Sequence, residues 1–115
     1  MSGLCQSPCR LACLGLLLAG GCSAEVKPAY DDPVPEARIG AIRRSAESMD
    51  RTQLANIIES LDDNDPAVRM AAIGALQRMT GDNLGYRFNA TSAERAEAIA
   101  RWKDWLSRQP AGPRA

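Results

Sequence analysis

Apolar residues recur at helical spacing through most of this chain, and nowhere do they alternate with period two for long enough to make a strand. Ile39, Ile42, Ala46 and Met49 fall at i, i+3, i+7 and i+10, a first stripe that follows Pro35. Leu54, Ile57, Ile58 and Leu61 fall at i, i+3, i+4 and i+7, the clearest amphipathic pattern in the chain. Asp50 stands where an N-cap belongs, with Gln53 three residues on as a capping-box partner. Val68, Ala72, Ile73, Leu76 and Met79 make a third stripe, with Asp65 as N-cap, Pro66 in the first turn and Gly81 as the stop. A fourth helix opens at Thr91, with Glu94 completing a capping box, and buries Ala98, Ile99, Trp102 and either Trp105 or Leu106. The pattern predicts an all-α domain of four helices over residues 36–108.

Only Asp62, Asp63, Asn64 and Asp65 separate the second stripe from the third, so these two helices form an antiparallel hairpin. Leu61, Asp63, Asp65, Pro66, Val68, Arg69, Ala72, Ala75 and Leu76 together resemble the inner part of a HEAT-type repeat. In that family the turn is acidic and the second helix begins Pro-x-Val-Arg. A shift of 31 residues lays Pro35, Arg38, Ala41 and Ile42 over Pro66, Arg69, Ala72 and Ile73, so the first helix is similar to the second helix of a preceding half-repeat. The resemblance implies a short helical-hairpin array with Asp63, Asp65, Pro66, Val68 and Arg69 as its structural signature. It also implies that Arg69 bonds acidic turn residues, either Asp63 or an adjacent repeat's carboxylates. By the same logic Ala71, Ala72, Gly74 and Ala75 are small so that neighbouring helices approach closely. The plainer reading of Arg69 is an exposed helix charge.

The stretch from Met79 to Asn89, with the helix ATSAERAEAIARWKDWL after it, resembles the closing segment of small bacterial HEAT-repeat proteins. There an LTG-type helix end leads through a Gly-Tyr loop into a Trp-rich helix. Met79 replaces the leucine, and Arg87-Phe88 stands where an acidic residue and proline are common. The resemblance implies that Leu84, Tyr86 and Phe88 fold back over Trp102 and Trp105, because a repeat array needs caps on its apolar ends. The competing expectation is a ligand-binding aromatic cluster of Tyr86, Phe88, Trp102 and Trp105.

Ahead of the helices, MSGLCQSPCRLACLGLLLAGGC carries one charge, Arg10, then an apolar run from Leu11 to Gly21. This is the order of a secretory signal, and the run is shorter than the roughly 20 residues a bilayer core requires. Leu18-Ala19-Gly20-Gly21-Cys22 resembles a bacterial lipobox, although leucine is more usual than Ala19 at its place. The resemblance implies removal of residues 1–21 and a diacylglycerol on the Cys22 thiol. By the same resemblance, Ser23, a residue other than Asp, implies onward sorting to an outer membrane in a host that has one. All 4 cysteines lie at or before position 22, so the mature chain would hold neither a free thiol nor a disulfide. A metal or redox role for Cys5, Cys9 and Cys13 is the alternative, but their spacings lack histidine partners and the chain has none. Residues 22–35, with prolines and charges but little apolar periodicity, read as a lipidated N-terminus and flexible tether in which Tyr30 is an incidental aromatic or a docking residue. Residues 109–115 read as a frayed tail.

Of 115 residues, 94 would remain after the leader; with Arg10 gone they carry 13 basic and 14 acidic side chains, a net charge of −1. Such a balance supplies no overall field for nucleic acid, and Arg43-Arg44 is the sole adjacent basic pair. Without histidine or a free thiol the usual catalytic bases and nucleophiles are missing. The clustered Asp62, Asp63 and Asp65 serve as helix stop, turn and N-cap, and no glycine stands where a calcium loop bends sharply. Asn89-Ala90-Thr91 is formally a glycosylation sequon and otherwise the entry to the last helix. The residues point to a non-enzyme without cofactor or metal, and the two resemblances imply a HEAT-like lipoprotein anchored in the cell envelope of a bacterium and facing the periplasm. Its expected role is a scaffold for a protein partner or a second copy, docked on the open face of the Arg38–Met49 helix. The alternative is a carrier of a small molecule or cell-wall ligand on the aromatic cluster.

Overall fold

The computed structural model describes residues 25–110, which contain four α-helices and no strand. The leader and Cys22 lie outside the described residues, as does the tail from Ala111. Helix α1 spans Pro35–Glu47, α2 Leu54–Glu59, α3 Pro66–Thr80 and α4 Ser92–Ser107. α1 lies against α3, and α2 packs against both α3 and α4. One core joins all four, from Ile42 and Ala46 on α1 to Ala98, Ile99 and Trp102 on α4.

Local chemistry accounts for most of the boundaries. Pro66 starts α3, where its missing N–H is no loss, and the Asp65 carboxylate accepts from the Ala67 N–H at 2.7 Å. Gly81 ends α3 at φ +85°, a left-handed turn in which glycine carries no Cβ penalty. The capping box on α4 is complete: Thr91 Oγ1 accepts from the Glu94 N–H, and Glu94 Oε2 accepts from the Thr91 N–H.

Three expectations change. Asp50 accepts from the Thr52 N–H and hydroxyl and so caps a 3-10 turn, Arg51–Gln53, rather than α2 itself. Gln53 makes no capping box; its side-chain carbonyl accepts from Asn56 instead, because the tighter turn brings Thr52 to Asp50. Met49 does not continue the α1 stripe. It lies past the helix end at φ +52°, half exposed, where the Asp50 N–H turns back to the Ser45 carbonyl. The buried face of α1 is instead Ala37, Ala41, Ile42, Ser45 and Ala46, shifted toward its second neighbour.

That neighbour is the segment just before α1. Ala29 N–H donates to the Ala37 carbonyl, Pro28 stands against Gly40, and the Tyr30 hydroxyl meets Ser45 Oγ at 2.7 Å. Ser45 Oγ donates in turn to the Ala41 carbonyl. Burial raises the Tyr30 pKa; Ser45 opposes this and the Asp50 charge adds to it. Tyr30 therefore belongs to the folded unit, in a stretch whose composition reads as tether.

Candidate interaction site

The acidic turn between α2 and α3 is where separate elements meet. Asp63 follows a 3-10 turn, Ser60–Asp62, and its Oδ1 accepts from the Asp65 N–H at 2.9 Å. This holds the carboxylate toward α1, and Arg38 grips it with two N–H groups: Nε to Oδ2 at 2.8 Å and Nη2 to Oδ1 at 3.0 Å. The side chains are only 17% and 13% exposed, which sets this pair apart from a solvated surface bridge. Burial acts to raise the Asp63 pKa, but the bonds from Arg38 and the Asp65 N–H, with the charges of Arg38 and Arg69, bring it below its ordinary value. The same bond raises Arg38 further above its usual value.

Among the described residues, Arg69 reaches no carboxylate. Its Nη1 donates to the backbone carbonyls of Asp63 at 2.7 Å and Asn64 at 3.2 Å, and its Nε to the carbonyl of Phe88 at 3.1 Å. The Asp63 carboxylate is already held by Arg38, from the preceding helix, so Arg69 ties the turn backbone to the loop that follows α3. Val68 is fully buried one residue before it.

The carboxylate expected for Arg69 goes to Arg38, the residue that the 31-residue shift lays over it. The 31-residue shift also lays Asp31-Asp32 over Asp62-Asp63, which extends the repeat into its turn. The geometry repeats with it. Arg38 Nη1 donates to the Asp32 carbonyl as Arg69 Nη1 donates to that of Asp63, and the Val34 N–H bonds Asp32 Oδ1 as the Asp65 N–H bonds Asp63 Oδ1. Gly74 departs from the close-approach expectation: it is exposed, and a Cβ there would meet nothing within 4 Å. Ala72 and Ala75 are the small residues on the buried face of α3.

Tyr86 and Trp102 belong to the buried core, and Phe88 and Trp105 are partly buried against it. Tyr86 and Trp102 are buried, and both polar tips are satisfied by backbone: Tyr86 donates to the Leu61 carbonyl at 2.6 Å, and Trp102 Nε1 to the Asn83 carbonyl at 3.1 Å. Burial raises the Tyr86 pKa against the opposing charges of Arg69 and Arg95, with Asp62 adding to the rise. Trp105 meets Trp102 edge-on, with ring centroids 5.4 Å apart.

Two open grooves border the described residues. One, of about 310 Å³, runs along α1 between Tyr30, Ala41, Arg44, Ser48 and Gln53. The other, of about 210 Å³, lies between Arg87, Glu94, Glu97 and Arg101. The four aromatic residues line neither. Among the described residues no group of three or more carboxylates is placed to hold a metal ion, and no helix is long and apolar enough to cross a membrane. Comparison with family models, curated proteins and solved structures finds no match to this chain.

Proposed function

We propose that this chain is a HEAT-like helical-repeat lipoprotein, anchored through Cys22 in a bacterial envelope and facing the periplasm, where it acts as a non-catalytic scaffold for protein partners. The observation that carries the reading is the packing of α1 on α3 and of α2 on α3 and α4, with the 31-residue repetition of the Asp–Pro–Arg turn. Two layers of stacked helices are how a repeat array buries a continuous core and leaves its outer surfaces for recognition. So short an array has little surface to bury, which leaves its faces as the resource it offers.

The test is co-purification from membranes in mild detergent, comparing the native chain with Cys22→Ala. A defined protein that follows the native chain at fixed ratio supports the scaffold, and loss of membrane attachment in Cys22→Ala supports the anchor. A native chain that is extracted without detergent overturns the anchor; one that stays membrane-bound with neither a partner protein nor a second copy overturns the scaffold. The alternative, ligand carriage by the aromatic residues, draws less support from the geometry, since Tyr86 and Trp102 spend their polar atoms on backbone inside the core.

A further inference from the structure

We propose that the scaffold's partner includes a second copy of this chain, docked head to tail so that Arg69 of one copy pairs with Asp32 of the next. This rests on the interaction-module reading and names its partner. Within one chain, a single rung of an Arg–Asp ladder is closed, Arg38 on Asp63. The counterparts of that pair at the 31-residue shift, Arg69 and Asp32, are left at the two ends of the array.

Both share part of the closed rung's geometry, although the Nε of Arg69 donates to the Phe88 carbonyl where that of Arg38 donates to Asp63. Asp32 sits in the same turn as Asp63, its Oδ1 on the Val34 N–H, and among the described residues no cation pairs with its carboxylate. Arg69 makes the same backbone bond from Nη1 as Arg38 does. Its Nη2, the atom that in Arg38 holds Asp63 Oδ1, has no hydrogen-bond partner among the described residues. One end therefore presents an oriented guanidinium and the other an oriented carboxylate.

The surfaces beside them differ in the same sense. Ile39 on α1 packs against the core, whereas its counterpart Met70 on α3 is 52% exposed, with the open Gly74 one turn on. At the opposite end, Ala41, Arg44, Ser45 and Ser48 line the open groove along α1. Ala41 and Ser45 are themselves buried, with Tyr30 bonded to Ser45, so the difference lies at Arg44 and Ser48, whose counterparts Ala75 and Met79 are buried in α3. Repeating the packing of α1 on α3 between copies sets the Met70 face against the groove and Arg69 beside Asp32. In the isolated chain Pro28 and Tyr30 pack on part of this face, and Arg44 and Ser48 keep the rest of it polar. The two patches differ, so the contact does not close on itself and builds open chains of copies.

The test is sedimentation velocity of the full chain in mild detergent, with micelles in excess over protein, across a concentration series. The native chain should grow in mass with concentration and shrink with added salt, which screens the charge pair. Asp32→Lys and Met70→Glu should each lower self-affinity by about tenfold or more, because each spoils one patch. Their equimolar mixture should form a dimer and nothing larger, through the one intact patch each retains. Asp32→Asn keeps an acceptor for the Val34 N–H, so it guards against misfolding and should weaken assembly in the same direction. A native chain that stays monomeric overturns the proposal, as does a dimer that stops growing or a mixture that fails to pair. A monomeric native chain that still carries a different protein through purification would sink self-docking alone and leave the scaffold standing.

Discussion

Met49 holds φ at +52°, where a Cβ crowds the backbone, and its side chain is half exposed. Left-handed backbone costs a non-glycine residue about 1–2 kcal/mol, partly offset in a Gly variant by about 0.5–1 kcal/mol of lost chain entropy. Met49→Gly should therefore stabilise the domain by about 0.5–1 kcal/mol and raise its melting temperature by a few degrees. Trp102 is the opposite case, fully buried with its N–H bonded. Trp102→Ala should cost about 3–5 kcal/mol in urea unfolding. A Trp102→Ala chain that kept its stability and lost only the capture of a small ligand would revive the carrier reading. Tyr86→Phe leaves the Leu61 carbonyl without its donor and should cost about 1–3 kcal/mol by the same measurement.

At the scale of elements, α2 is the one that cannot stand alone. It has six residues between two 3-10 turns, far fewer than the roughly 12–15 an isolated helix needs to be marginal in water. Leu54, Ile57, Ile58 and Leu61 hold it by burial against α3 and α4. α4 differs because its first turn is closed by its own capping box. Thr91→Ala should remove about 1 kcal/mol of stability and fray that turn, which amide hydrogen exchange at Glu94 and Arg95 would register. No change at those amides would mean that packing of Trp102, rather than the cap, positions the helix start. The turn between α2 and α3 belongs to neither helix: Arg38 and Arg69 hold it from α1 and α3, and Arg69 links it to Phe88.

For the whole molecule, the Arg38–Asp63 pair makes stability depend on acid. The folded Asp63 pKa lies below the ordinary carboxylate value, so the folded state binds this proton less readily than the unfolded chain does. Its contribution is complete above the unfolded value of about 4 and fades as pH falls through the depressed one. The urea midpoint should drop below that range in the native chain. In Asp63→Asn it should start lower at neutral pH and fall less on acidification. Equal acid sensitivity in the two chains would remove the pair from the account.

Signals that act within one turn of chain could be read before any fold was known. Asp65 and Pro66 start a helix, Gly81 stops one, and Thr91 with Glu94 opens another, because donor and acceptor lie within three residues of each other. Helical periodicity likewise named Ile57, Leu61, Leu76 and Trp102 for the core, since a helix face is set by spacing alone. Position 38 shows where that reach ends. Arg38 and Asp63 are 25 residues apart, and only the stacking of α1 on α3 decides which of two equivalent arginines receives the carboxylate. Packing also decided that Gly74 faces outward and that Tyr30 folds onto Ser45. Local chemistry sets where helices begin and end; which of their faces meet depends on neighbours distant in the chain, and only the assembled core chooses them.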